Sequence, residues 1–219
     1  MQRYFDEELA KFKENLLMMG SYAESALSQA VQAVTERNDR LAEQVRENDD
    51  IMDHYEVEID ETAISLLAKA PLASDLRLIT VAMKISQNLE RIGDEATTIC
   101  RRALELNQEP QIKTYIDIPR LAGIALSMLK NALDSFVNKD PEKARAVIPR
   151  DKEVDAINRQ LYRELSSYMI ENPSTISRCL NLMTVSKSLE RVADHATNIA
   201  QEVVYLCEAR DIRHEANKP

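Results

Sequence analysis

Leu89-Glu-Arg-Ile-Gly-Asp94-Glu-Ala-Thr-Thr-Ile99 and Leu189-Glu-Arg-Val-Ala-Asp194-His-Ala-Thr-Asn-Ile199 are one phrase written twice, 100 positions apart. Within the first copy Leu89, Ile92, Ala96 and Ile99 advance by three and four residues, the spacing of one helix face. The rhythm extends back through Leu78, Ala82 and Ile85. It recurs in Leu9, Phe12, Leu16, Met19, Ala23, Ala26, Ala30 and Ala33, and in Leu41, Val45, Asn48, Met52, Tyr55, Ile59, Thr62 and Leu66. Period-two alternation, the mark of a half-buried strand, is absent. The expected class is all-α.

Breaks between the seams are short. Thr35–Asp39 ends the first helix and offers Asp39 as N-cap of the second. Ala70-Pro71 and Asn107–Pro110 end the second and third, and Lys113–Pro119 reads as a linker. Asp140-Pro141 pairs an N-cap with proline at the first helical position, and Asn172-Pro173 closes the fifth helix, which Pro149 should kink. Six helices are expected at roughly 4–36, 39–69, 72–108, 117–138, 141–171 and 174–209. Short connections make neighbours antiparallel, so each half is expected to form an up-down-up bundle of three helices.

The duplication reaches beyond the signature phrase. Asp49-Asp-Ile-Met-Asp53 matches Asp151-Lys-Glu-Val-Asp155 at an offset of 102, as Pro71 matches Pro173. A repeat of this length exceeds a solenoid unit of about 20–50 residues and reads as a duplicated domain, 1–110 and 111–219.

Each half carries two acid-x3-acid pairs: Asp49/Asp53 with Glu90/Asp94, then Asp151/Asp155 with Glu190/Asp194. A spacing of four puts both acids of a pair on one helix face, about 5–6 Å apart. Most of them follow a seam residue by one position, so they flank the helix contacts and do not face fully outward. If the second and third helices of a half present these flanks to one another, acid meets acid. That repulsion requires protonation, arginine partners or a cation. Oxygen-only ligand sets suit divalent ions such as Mg²⁺, Mn²⁺, Ca²⁺ or Fe²⁺. The other reading is a metal-free scaffold in which Arg91 and Arg191 neutralise the adjacent glutamates. A ferritin-like di-metal oxidase requires Glu-x-x-His, and neither Glu90 nor Glu190 has histidine three residues on.

Of the 219 residues, 28 are Lys or Arg and 37 are Asp or Glu, a net charge of −9 that argues against nucleic-acid binding. Three Gly, no Trp and 5% aromatics argue against sandwiches and barrels, and 44% hydrophobic residues are enough for a packed core. Met1–Glu8 is charged and unlike a signal peptide, and no apolar run reaches the ~18 residues of a membrane span. Cys100, Cys179 and Cys207 form no CxxC, so free thiols in a cytoplasmic protein are expected. His54, His195 and His214 are too scattered for a catalytic triad, and His195 reads as a helix-surface residue. Glycines are few and no basic cluster stands at a helix N-terminus, so no tight phosphate site is expected.

Leu89–Ala96 and Leu189–Ala196, together with Ala73-Ser-Asp-Leu-Arg77, Arg150–Asp155 and Asp211-Ile-Arg-His214, resemble the signature of the PhoU family over nearly the whole chain. The resemblance implies two similar three-helix bundles with acidic motifs that hold divalent metal, its identity open among Mg, Mn, Fe and Zn. The positions carried over are Asp49, Asp53, Glu90, Asp94, Asp151, Asp155, Glu190 and Asp194; Ala193 and His195 depart from the first copy's Gly93 and Glu95. It further implies a non-enzymatic negative regulator of phosphate transport and phosphate signalling. Such a regulator forms a homodimer at the inner face of the membrane, contacting a sensor histidine kinase and the ATPase subunit of the phosphate ABC transporter.

Overall fold

The computed structural model describes residues 2–69, 72–113 and 115–213, with side chains from Tyr4 onward. Ala70-Pro71, Thr114 of the linker and His214 lie outside the described residues. Among them every regular element is helical: α1 (Gln2–Thr35), α2 (Asp39–Glu47), α3 (Asp50–Leu67), α4 (Ala73–Asn107), α5 (Asp117–Asn138), α6 (Pro141–Val147), α7 (Asp151–Glu171) and α8 (Ile176–Glu208). None of these is long and apolar enough to cross a membrane.

Six rods result, two of them broken. Pro149 breaks the fifth as expected, through a 3₁₀ turn over Ile148–Arg150. The second breaks between α2 and α3 at Asn48-Asp49, where no proline or glycine marks it. The two breaks fall at equivalent places in the repeat, 102 residues apart. In the first copy the Asn-Asp-Asp run supplies poor helix formers whose short polar side chains compete for the backbone. Each break sets an acidic pair at the start of a new helix.

The N-cap of α2 is Asn38, whose side chain accepts from Leu41 N–H at 3.1 Å; Asp39 stands in the first turn and accepts from Asn107. Asp140 caps α6 through Lys143 N–H at 3.0 Å, with Pro141 following. Arg37 and Lys139, equivalent in the repeat, both end a helix in the left-handed region at φ 55° and 51°. Arg37 puts that position to use, donating to the carbonyls of Leu106, Asn107 and Glu109 at the end of α4.

α1, α2–α3 and α4 pack as one trio; α5, α6–α7 and α8 pack as a second. The trios join along α4 and α8, with α1 against α5. There a methyl group on Gly20 would stand 2.9 Å from Leu133, so glycine permits the close approach of α1 to α5. Lys84 meets Glu202, Asn88 meets His195, Glu95 meets Arg191 and Glu109 meets Arg178, so numbers rise on α4 as they fall on α8. The two central helices are therefore antiparallel. Being covered on two sides, α4 buries all its expected seam residues and also Ile79, Val81, Ser86 and Cys100. On α1 every expected seam residue is buried except Ala26, which is half-buried; Leu27 and Val34 are buried beside the seam.

Candidate functional site

The breaks place Asp49 and Asp53, then Asp151 and Asp155, at the N-terminal ends of α3 and α7. The positive end of a helix dipole favours negative charge there. The partner helices α4 and α8 bring Glu90 and Asp94, then Glu190 and Asp194, up to those ends.

In the first cluster Asp49 is half-buried, and its carboxylate accepts from Thr97 Oγ1 at 3.0 Å. Its pKa is raised by burial, against the lowering effect of Thr97, with Asp94, Asp53 and Asp50 raising it further. Glu90 is pushed up to about 7, first by burial and then by Asp94, with Arg91 opposing and Glu56 and Asp53 adding. Arg91 holds both acids of its own helix, with Nε 3.3 Å from Glu90 and Nη1 3.2 Å from Asp94.

The second cluster has a different balance. Glu190 is buried and tied to Lys187. Asp151 is raised by burial, then by Asp155 and Glu190, and its Oδ1 is buried with no hydrogen-bond partner. Asp194 is pushed up to about 6 by burial, then by Glu190 and Asp151, with Lys187 opposing. All eight expected carboxylates thus fall into two groups, four and four, that feel one another's charge.

Among the described residues, no group of three or more His, Cys, Asp or Glu side chains stands in position to hold one ion as the side chains lie. The donor set nevertheless fits a hard divalent cation: oxygens only, with Glu90 and Asp194 raised first by burial and then by neighbouring carboxylates, and with Asp151 Oδ1 buried and unpaired in the second cluster. In the first cluster Arg91 already supplies one positive charge, as the scaffold reading expects. Arg191 does not play that part for Glu190; it crosses to α4 and pairs with Glu95 at 3.0 Å.

His195 is only partly exposed. It is half-buried in the α4–α8 seam with Nδ1 3.0 Å from Asn88 Oδ1, and burial lowers its pKa. Cys100 and Cys179 are buried free thiols, and burial pushes Cys100 up to about 12.

Two participants escaped the sequence reading. Glu56 joins the first cluster, and its signal was available: Asp49, Asp53, Glu56 and Asp60 follow at four, three and four, one face of α3. Lys187 lies three residues before Glu190, another helical spacing, with no counterpart in the first copy, where Gln87 stands.

The PhoU domain family matches residues 16–103 and again 118–203. The chain is 41% identical over 216 residues to the phosphate-specific transport system accessory protein PhoU homolog of Pseudomonas aeruginosa, covering 98% of this chain and 89% of that protein. To the protein of the same name from Rhizobium meliloti it is 39% identical over 205 residues, covering 92% and 86%. Among solved structures, PhoU from Pseudomonas aeruginosa superposes with a TM-score of 0.91 at 41% identity, covering 94% of this chain and 100% of the other. The phosphate transport system regulatory protein PhoU from Streptococcus pneumoniae gives 0.88 at 26% identity, covering 95% and 99%.

Proposed function

The chain belongs to the PhoU family, and from that premise we propose that it is a cytoplasmic regulatory adaptor of phosphate uptake whose two carboxylate clusters take up divalent metal ions. Its role is non-enzymatic: the bundles dock on other proteins and restrain phosphate transport and phosphate signalling. The partners are those the family likeness implies, a sensor histidine kinase and the ATPase of the phosphate transporter, with the chain acting as a homodimer on the inner side of the membrane.

The observation that carries the metal part is the gathering of four acids in each half, where burial and then neighbouring carboxylates raise Glu90 to about 7 and Asp194 to about 6. Two carboxylates about 5–6 Å apart repel by roughly 3 kcal/mol at an effective dielectric near 20. Asp49, Asp53, Glu90 and Asp94 would hold one set of ions, and Asp151, Asp155, Glu190 and Asp194 the other. A bound divalent ion supplies the positive charge that offsets this repulsion. The chain's own residues do the rest. Thr97 fixes Asp49, the helix breaks aim the acids at α4 and α8, and Lys187 and Arg91 limit how much charge is left to neutralise.

One observation favours the metal-free scaffold for the first half: Arg91 already bridges Glu90 and Asp94. On that reading the clusters are structural ion pairs, and docking needs no metal. Pull-down of the transporter ATPase and of the kinase, with Mn²⁺ and with chelator, separates the two. Metal-dependent capture supports the metal-loaded adaptor, capture indifferent to chelator supports the scaffold, and no capture of either protein contradicts both.

A further inference from the structure

Beside the second carboxylate cluster lies a groove of opposite character. Asn158, Arg159, Tyr162 and Arg163 of α7, with Lys187 of α8, line an open groove of about 760 Å³. No carboxylate lines it, in a chain whose net charge is −9. Its floor is fixed: Ser186 Oγ donates to Asn158 Oδ1 at 2.6 Å, and Tyr162 Oη donates to the Met183 carbonyl at 3.4 Å. Above the floor the cations are little used. Arg159 and Arg163 are exposed and neither forms an ion pair among the described residues; Arg163 Nε donates to the Arg159 carbonyl at 3.3 Å. Lys187 alone has an acidic partner, Glu190.

The duplicated half provides an internal control. At the offsets of 102 on α7 and 100 on α8, the equivalent positions are Glu56, Val57, Asp60, Glu61 and Gln87. The same backbone device thus carries acids in one half and arginines in the other. Arg159 and Arg163 stand one helical turn apart, where like charges repel. We propose that the α7–α8 groove docks a carboxylate-bearing segment of a partner protein, with Arg159 and Arg163 pairing its acids and Tyr162 as the aromatic anchor.

The alternatives fit less well. These residues sit in the middle of long helices, so no free backbone N–H groups are present to cradle a small phosphate. A chain of net charge −9 is repelled by an anionic membrane. The equivalent groove of a second copy is a poor match: Glu56 is turned into the first carboxylate cluster, one oxygen of Asp60 is buried, and of its acids only Glu61 is exposed.

The proposal deepens the adaptor reading and rests on it for the idea of a protein partner. Its test uses no phosphate-system component and no metal, so the two can fail separately. The probe is a fluorescent amphipathic peptide of about 20 residues with glutamates one helical turn apart, and the same peptide with glutamines. Anisotropy titration of the full chain should show the glutamate peptide binding at least roughly tenfold more tightly, an advantage that shrinks with added salt. Arg159→Glu with Arg163→Glu, both on an exposed helix face, should erase that advantage while leaving the thermal melt intact. Glu61→Gln in the equivalent groove should leave it unchanged. Equal binding of the two peptides, or undiminished binding by the double variant, overturns the proposal. So does displacement of the peptide by millimolar inorganic phosphate, or tighter binding to phosphatidylserine vesicles than to the peptide. Self-association that vanishes in the double variant assigns the groove to a second copy and also overturns it.

Discussion

Replacing Glu90 by glutamine keeps the shape and removes the charge, and its effect on stability should change sign with metal. Glu90 has an ordinary pKa of 4.5 and is raised to about 7 in the folded protein, chiefly by burial and then by Asp94. For an acid raised on folding, the folded state holds its proton where the unfolded chain has lost it. Stability is therefore complete below pH 4.5 and declines as pH rises to about 7. At 1.36 kcal/mol per pKa unit the loss has a ceiling near 3 kcal/mol; solvent screening and the shared titration with Asp94 bring it to about 1–3 kcal/mol. In chelator at pH 7.5, Glu90→Gln should thus stabilise the protein, raising Tm by roughly 2 to 10 °C for a chain of this size. At pH 4 the two proteins should melt together. With excess Mn²⁺ at pH 7.5 the order should reverse, because wild type gains the ligation free energy of an ion and the variant has lost a donor. Circular-dichroism melts at two pH values, with and without chelator, read all of this. A variant less stable than wild type in chelator at pH 7.5 refutes the crowding argument. It would mean that the pair with Arg91 outweighs the neighbouring carboxylates.

Two further substitutions probe the frame that holds the clusters. Arg191→Ala leaves Glu95, a buried acid, without its ion pair across the α4–α8 seam and should cost about 1–2 kcal/mol in urea unfolding. Adding Glu95→Gln should restore much of that loss, and a double variant no better than Arg191→Ala contradicts the assignment. Lys139, exposed and at φ 51°, ends α5 where glycine is unstrained, so Lys139→Gly should stabilise by about 0.5–1 kcal/mol. Arg37→Gly, at the equivalent position, should destabilise, because its guanidinium caps three carbonyls near the end of α4.

The parts of this molecule that repeat were legible; the parts that arise between helices were not. The α4 seam could be read residue by residue because every third or fourth position is apolar and all of them are buried. Pro149 announced its own break, whereas the equivalent break at Asn48-Asp49 had only weak helix formers to mark it. The acid pairs stood out because they recur at matched places, and Glu56 was overlooked because its counterpart is Asn158. The pairing of Glu95 with Arg191 and of His195 with Asn88 depends on which faces of α4 and α8 meet, and in what register. The surplus of apolar residues on α4 hints that a second face is covered, but it does not say by what.

The most direct test is elemental analysis of untagged protein equilibrated with Mn²⁺ and then freed of unbound ion by gel filtration. The account predicts that bound metal is retained, and that Asp151→Asn with Glu190→Gln lowers it by the share of one half while the fold is kept. Wild type that emerges metal-free, or a variant that retains as much as wild type, contradicts the claim that these facing carboxylates are cation sites.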